Sequence, residues 1–545
     1  MRYSMDKIKI FLSSQFATVA FLGIAILSRI VNVCFLSYAG RDKMFLVMQS
    51  KSLLDGKGLG IPEYFTADPG IPDYDYTPMW PPGYPVLLAP FLKLFNYNIY
   101  WATTVLDIIA CIGLILIVRR ICMQIGLPTT AVNLMTLVAG CFEYSFINDS
   151  KPTDNVPIVI FLLGISLIIK LVSSDRFSFT AIGIAAFVLF LPNVFRYSYP
   201  PLSIAVTISV LLTGFLKKEN LLKKKGAWLF AVNVLLTAVF FLAMKSITGY
   251  AGYAVPTPRG YFPENLVHWY PVLPTSFINL IFLTSQSLKV AGWSLETTLK
   301  LLEVINVIAV FSLTTFFLLL FFSKKFLTAL TPFKWFIIAG FFASAATFAS
   351  LGYLSFTYEA QKWSNGPWSY VYDHRYYAFA VVFLQMAFFG WVFLYKDSLK
   401  NFFLRAIAIS CGLVLFIEVT HNIYFNTKVA FNFKKYKSEV HREKDYAYFV
   451  KLIGELERKY PGYAIWVAAA RDDFYPYTAT YHGHTGIADA ETFKSNVIKV
   501  KRKTILVFML YDDEVASYNA LISRSKILFT NKIDNSNYYV IELLP

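Results

Sequence analysis

Val156-Pro-Ile-Val-Ile-Phe-Leu-Leu-Gly-Ile-Ser-Leu-Ile-Ile-Lys170-Leu-Val172 carries one charge in seventeen residues, and that charge stands two residues from its end. A run this apolar is long enough to cross the hydrocarbon core of a bilayer, which needs about 17–25 helical residues. Similar runs lie near 12–37, 99–118, 128–147, 178–195, 199–216, 227–245, 301–323, 334–354, 376–395 and 403–422. Together they predict a polytopic α-helical membrane protein with about eleven spans by the twenty-residue criterion. The segment 273–292 is a possible extra or re-entrant helix.

Composition agrees. Of 545 residues, 56% are hydrophobic and only 15% charged. A soluble fold cannot hide that much apolar surface, so a cytosolic enzyme, a disordered chain and a fibre are all excluded. The net charge of +16 resembles a nucleic-acid footprint. Much of it, however, sits in short loops between spans: Arg119–Arg120, Lys170 with Arg176, Lys217–Lys218 with Lys223–Lys225, Lys324–Lys325 with Lys334, and Lys396, Lys400 and Arg405. Such loops face the cytoplasm by the positive-inside rule, together with Arg2, Lys7 and Lys9. The alternate loops, 39–98, 246–300 and 355–375, are rich in Pro, Gly, Tyr and Trp. The expected topology has an uncleaved first span, a cytoplasmic N-terminus and an extracytoplasmic C-terminus in the plasma (inner) membrane. The five cysteines lie in or beside apolar runs without metal-ligand spacing and read as small core residues.

From about Asn426 the composition turns polar. A helix is expected at 443–459, strands at 464–469, 504–510, 526–529 and 538–544, and a short helix at 515–523. This divides the chain into a transmembrane domain, 1–425, and a small α/β extracytoplasmic domain, 426–545.

Ionisable groups near the bilayer are costly, so those in the outer loops are the functional candidates. Asp42 follows the first span directly. A carboxylate there can accept a proton from a hydroxyl held at the membrane surface. Arg196, in Phe195-Arg196-Tyr197, stands at the outer end of a span, against the positive-inside bias. It needs an anionic partner, which a lipid phosphate can supply. Thr153 and Asp154 precede the 156–172 span and suit a helix cap. His482-Gly-His484 lacks further ligands at metal-binding spacing. Asp107 and Glu143 lie in or near apolar helices without an assignable role.

These pieces occur in a telling order. Arg29, Asp42, Leu53-Leu-Asp-Gly-Lys-Gly58 and Pro81-Pro-Gly-Tyr-Pro85 resemble the N-terminal signature of GT-C glycosyltransferases. The style is that of the bacterial protein O-mannosyltransferase and lipid A aminoarabinose transferase group. That family carries a catalytic Asp in its first outer loop, beside amphipathic helices, commonly as an acidic pair; this chain has Asp42-Lys43 instead. Asp154 is similar to the acidic residue of the family's second short loop. Tyr372-Asp-His-Arg375-Tyr376 is similar to its late Arg-Tyr motif.

The resemblance implies an inverting transfer of a sugar from a polyprenyl-phosphate donor to a hydroxyl on a glycan, lipid or protein acceptor at the outer face. Asp42 would be the base. Arg196, Tyr197, Arg375 and Tyr376 would hold the donor phosphate, and Asp154, Lys43 and Tyr84 would belong to the substrate loops. No motif calls for a cofactor; a divalent metal is compatible. A transporter or flippase of lipid-linked glycans, or a non-catalytic membrane protein, are the alternatives. The transporter explains the long outer loops less directly; in the non-catalytic reading the outer domain is the active part and Asp42 is incidental.

Overall fold

The structure is a computed structural model that describes residues 10–35, 41–63, 73–76, 80–142, 154–250, 261, 331–357, 378–434, 443–469, 503–511, 515–533 and 536–544. Helix α1 (Gln15–Phe35) leads into α2 (Arg41–Leu54), the two-stranded hairpin β1 (Ile61–Glu63) and β2 (Asp73–Asp75), and α3 (Gly83–Leu94). Then come α4 (Ile99–Gln124), α5 (Thr129–Cys141), α6 (Asn155–Val172), α7 (Phe179–Phe190), α8 (Tyr199–Leu216) and α9 (Asn220–Thr248). Beyond these lie α10 (Pro332–Thr357), α11 (Ala378–Leu394) and α12 (Phe402–Phe431).

Among the described residues, seven helices are long and apolar enough to cross a membrane: α1, α4, α6, α8, α9, α10 and α12. Three shorter apolar helices, α5, α7 with its 3₁₀ extension to Val194, and α11, stand where spans were also expected. The runs 301–323 and 273–292 fall outside the described residues. The protein is a multi-pass membrane protein.

Local chemistry sets the helix limits. Asn98 caps α4 by accepting from the Trp101 amide, and Ser178 caps α7 by accepting from Ala181. Asn401 accepts from the Phe403 and Leu404 amides at the start of α12. At the end of α9, Gly249 takes a left-handed φ of 81°, which a side chain would resist.

The spans touch through small residues. A Cβ on Gly140 of α5 would lie 2.2 Å from the Ala25 Cβ of α1, so the two backbones meet only because glycine is there. Gly214 and Gly226 let α8 and α9 approach in the same way. Small residues suit such contacts because lipid gives no hydrophobic drive for one helix to find another.

Among the described residues, α1 and then α4 to α9 run in alternate directions. Tyr100 at the start of α4 therefore hydrogen-bonds the Cys34 carbonyl near the end of α1, at 3.0 Å. The short loops α4–α5, α6–α7, α8–α9 and α11–α12 consequently gather at one end of the bundle, with Arg119, Arg120, Lys170, Arg176, Lys217, Lys396 and Lys400. The starts of α4, α6 and α8 lie at the other.

The composition change at Asn426 falls within α12, whose Asn426 side chain donates to Ser28 of α1. Beyond it, α13 (Glu443–Lys459) precedes β3 (Ala464–Ala469), β4 (Thr504–Tyr511), α14 (Asn519–Arg524), β5 (Lys526–Ile533) and β6 (Ser536–Leu543). They follow the order expected from the sequence, with β5 running on to Ile533, β6 starting at Ser536 and a 3₁₀ turn, Val515–Tyr518, taking the first half of the expected short helix. The sheet order is β3-β4-β6-β5, with β3 and β4 parallel and the other pairs antiparallel. Leu452, Ile453 and Leu456 of α13 are buried, and the domain's apolar side chains join those of α2, α3 and the start of α4 in one cluster.

Candidate functional site

At the end of the bundle where α4, α6 and α8 begin, two acid–base pairs are buried. The first joins α2 to α4. Lys43, in the first turn of α2, places Nζ 2.8 Å from Asp107 Oδ2, with side chains 2% and 0% exposed. Asp107 stands at the ninth position of an apolar helix, about two turns in at 1.5 Å per residue. A lone carboxylate there would be very costly, and the lysine removes most of that cost.

Tyr84 of α3 completes this first cluster. It is buried, and Asp107 lies close enough for its charge to act on the phenol. Burial first, and that charge second, hold the phenol well above its ordinary pKa. The three residues come from three helices, of which α3 packs on both α2 and α4.

The second pair joins the start of α6 to the turn between α7 and α8. Arg196 Nε lies 2.5 Å from Asp154 Oδ1, and both side chains are 10% exposed. Asp154 occupies the cap position of α6 but makes no side-chain cap bond; its carboxylate is turned to the arginine instead. The anionic partner that Arg196 requires is thus supplied within the chain. Tyr199, buried at the start of α8, feels both charges. Tyr197 stacks on Phe241, with ring centroids 6.2 Å apart, and burial raises its phenol pKa.

Two contacts connect the pairs. Cys111 stands one turn beyond Asp107 on the same face of α4, and Asn155, next to Asp154, directs its side-chain amide at the Cys111 sulfur, 3.6 Å away. Gly83, next to Tyr84, lies against the turn that carries Arg196. A Cβ there would sit 2.6 Å from the Val194 carbonyl oxygen and 2.9 Å from the Phe195 ring. The Pro81-Pro-Gly-Tyr-Pro85 stretch therefore has a packing reason for its glycine.

Four of the sequence-derived candidates, Lys43, Tyr84, Asp154 and Arg196, are brought into this region, with Tyr197 beside Arg196. Asp42 lies in the first turn of α2, next to Lys43. Arg375 and Tyr376 lie outside the described residues. Asp107 had no role assigned from sequence; its signal was a carboxylate deep in an apolar run, but its partner lies 64 residues earlier and on a loop helix. Arg29, part of the N-terminal signature, has a structural task. It donates to the Ala139 carbonyl at 2.9 Å and to that of Phe142, closing the end of α5. Among the described residues, no three His, Cys, Asp or Glu side chains gather as a metal centre requires.

The overall fold has counterparts among solved structures. ArnT from Cupriavidus metallidurans in the apo state is similar over 96% of this chain and 97% of its own, at 11% identity and a TM-score of 0.52. The Archaeoglobus fulgidus oligosaccharyltransferase in its apo form is similar over 93% of this chain and 70% of its own, at 12% identity and a TM-score of 0.50. No protein-family model matches the chain, and no curated protein sequence matches it. Likeness at such identities is likeness of fold, and the chain shares its fold with these two structures.

Proposed function

We propose that the chain is a glycosyltransferase that moves a sugar from a polyprenyl-phosphate donor to a hydroxyl acceptor at the extracytoplasmic face, with inversion. The observation that carries this reading is the gathering of Lys43–Asp107 and Arg196–Asp154 at one end of an apolar bundle. Buried charge within a membrane domain is costly and is retained where it does chemistry or binds charge. The likeness of fold to ArnT and to an oligosaccharyltransferase supports the same reading.

In this reading residues 1–425 form the transferase domain and 426–545 fold outside the membrane, with the N-terminus inside. The acceptor hydroxyl attacks the anomeric carbon from the face opposite the phosphate. Its proton passes to Asp42 as general base. The anomeric carbon–oxygen bond breaks, and polyprenyl phosphate leaves with the bonding electrons. A phosphate is already a good leaving group, so the need is for positive charge around it rather than a strong acid. Arg196, with Arg375, supplies that charge, while Tyr197 and Tyr376 flank it. Asp154 holds the Arg196 guanidinium in place before the donor arrives. The Lys43–Asp107 pair ties the first turn of α2, and with it Asp42, to the bundle.

The test is transfer by the full chain from a panel of polyprenyl-phosphate sugars, before and after Asp42→Asn. Loss of at least about a hundredfold, within the range a positioned base supplies, is expected while insertion stays intact. Undiminished transfer by Asp42→Asn would remove Asp42 as the base. Absence of transfer by the unmodified chain from every donor would remove the reading itself. In cells lacking the protein, one lipid-linked sugar should accumulate and so name the donor.

A further inference from the structure

We propose that Tyr84 and Asp107 form a subsite for one hydroxyl of the donor sugar, an inference that rests on the transferase reading above and deepens it. Asp107 spends Oδ2 on Lys43 at 2.8 Å. Its second oxygen, Oδ1, is buried with no hydrogen-bond partner. The Tyr84 hydroxyl is likewise buried with none. The two groups are neighbours on packed helices, yet they do not bond each other.

Each of these unpaired groups has a cost. A buried polar group left unpaired costs about 1–3 kcal/mol, and native structures keep few of them. Two together, contributed by separate helices, call for one occupant that satisfies both. The carboxylate oxygen can only accept, and the phenol is free to donate. A hydroxyl does both at once: it accepts from Tyr84 and donates to Asp107 Oδ1. Sugars are dense in such groups. Lys43 holds the carboxylate in place, leaving Oδ1 for the ligand.

The location favours the donor's sugar over the acceptor. Gly83, the residue before Tyr84, is pressed on the Val194 carbonyl, two residues before Arg196. A phosphate held at Arg196 therefore has its sugar near the Tyr84–Asp107 niche. The subsite reads the sugar, while Arg196 reads the phosphate common to all such lipids.

Binding of the full chain in detergent to bare undecaprenyl phosphate is compared with binding to a panel of undecaprenyl-phosphate sugars carrying mannose, glucose, galactose or arabinose. The sugar lipid bound most tightly serves as the probe. Tyr84→Phe is expected to weaken the probe about three- to tenfold, as loss of one hydrogen bond does, and to leave the bare lipid unchanged. The same variant should melt no lower than the parent without lipid, because it removes an unpaired buried hydroxyl. Asp107→Asn, which keeps the shape of the side chain, should lose the same discrimination. Equal losses for probe and bare lipid, no loss for either, or a rise confined to the acceptor KM would each overturn the subsite. A lower melting temperature with unchanged sugar preference would assign the niche to an ordered water and overturn it too. If the unmodified chain prefers no sugar lipid over the bare one, the transferase reading fails, and the subsite with it.

Discussion

Only one of the two ends of the helix bundle buries its cations against carboxylates. At the end that collects the short loops, cations meet backbone carbonyls. Lys225 of α9 donates to the Leu171 carbonyl at 2.9 Å and to that of Ser174, closing the end of α6. Arg405 donates from Nε to the Leu399 carbonyl at 2.9 Å. A helix C-terminus presents unpaired carbonyls and a partial negative charge, so cations there stabilise the fold with no further purpose. At the opposite end Arg29 likewise closes α5 on backbone carbonyls, but Lys43 and Arg196 meet carboxylates, inside the protein. No helix end asks for a buried acid–base pair, and apolar residues of similar size are often as stable. The first kind of charge is explained by the helix it closes. The second kind is left for function to explain.

Breaking the first buried pair should have the largest effect. Asp107→Leu leaves Lys43 buried without its carboxylate, and a loss of about 3–5 kcal/mol is expected in thermal unfolding of the purified protein. Lys43→Met combined with Asp107→Leu should recover most of that stability but not transfer. Recovery of both would return the pair to a purely structural role.

Gly83→Ala comes next. The added Cβ meets a backbone carbonyl oxygen at 2.6 Å, which cannot swing aside as a side-chain tip would. A loss of about 1–3 kcal/mol is expected, as for overpacking elsewhere, together with weaker transfer because the Arg196 turn is displaced. Undiminished transfer would show that the α3 contact does not set the Arg196 position.

At the opposite end, Lys225→Met should cost up to about 2 kcal/mol, the upper range for a cation at a helix C-terminus, and leave sugar transfer unchanged. Reduced transfer without reduced stability would erase the distinction between the two ends.

The smallest effect lies in the C-terminal sheet. Glu542 accepts from Tyr463 at 2.8 Å and pairs with Lys526 at 2.6 Å. The Lys526 bond first, then the Tyr463 bond, hold its carboxyl below the ordinary value of 4.5. Its contribution is complete above that value and is lost as pH falls through the lower folded one. Glu542→Gln should therefore flatten the acid side of the stability profile slightly and leave the neutral side nearly level. An unchanged acid limb would show that the triad adds nothing.

Much of the architecture was legible in the sequence because membrane spans and strands write their own periodicity. Apolar runs marked the spans, and the polar change near Asn426, with alternating residues after it, marked the sheet strand by strand. Individual candidates drew notice as types out of place, an Asp after a span and an Arg at the end of one, while Tyr84 came only with the resemblance of its proline-rich stretch. Their partnerships were not legible. Asp154 suited a helix cap by its position, and the cap position is where it stands, but its carboxylate turns to Arg196 across a turn from another hairpin.

The sequence by itself thus determined that the chain crosses a membrane many times, where its short basic loops fall and that a small sheet domain follows. Those properties depend on the transfer of residues from water and on local spacing, which a linear reading contains. Only the tertiary structure decided that Lys43 closes on Asp107, that Arg196 closes on Asp154, and that Gly83 brings the two pairs to one place. Electrostatic pairing and close backbone contact depend on a few ångströms between residues 42 to 64 positions apart, or more. Those distances are set by how helices pack, and no local signal in the chain carries them.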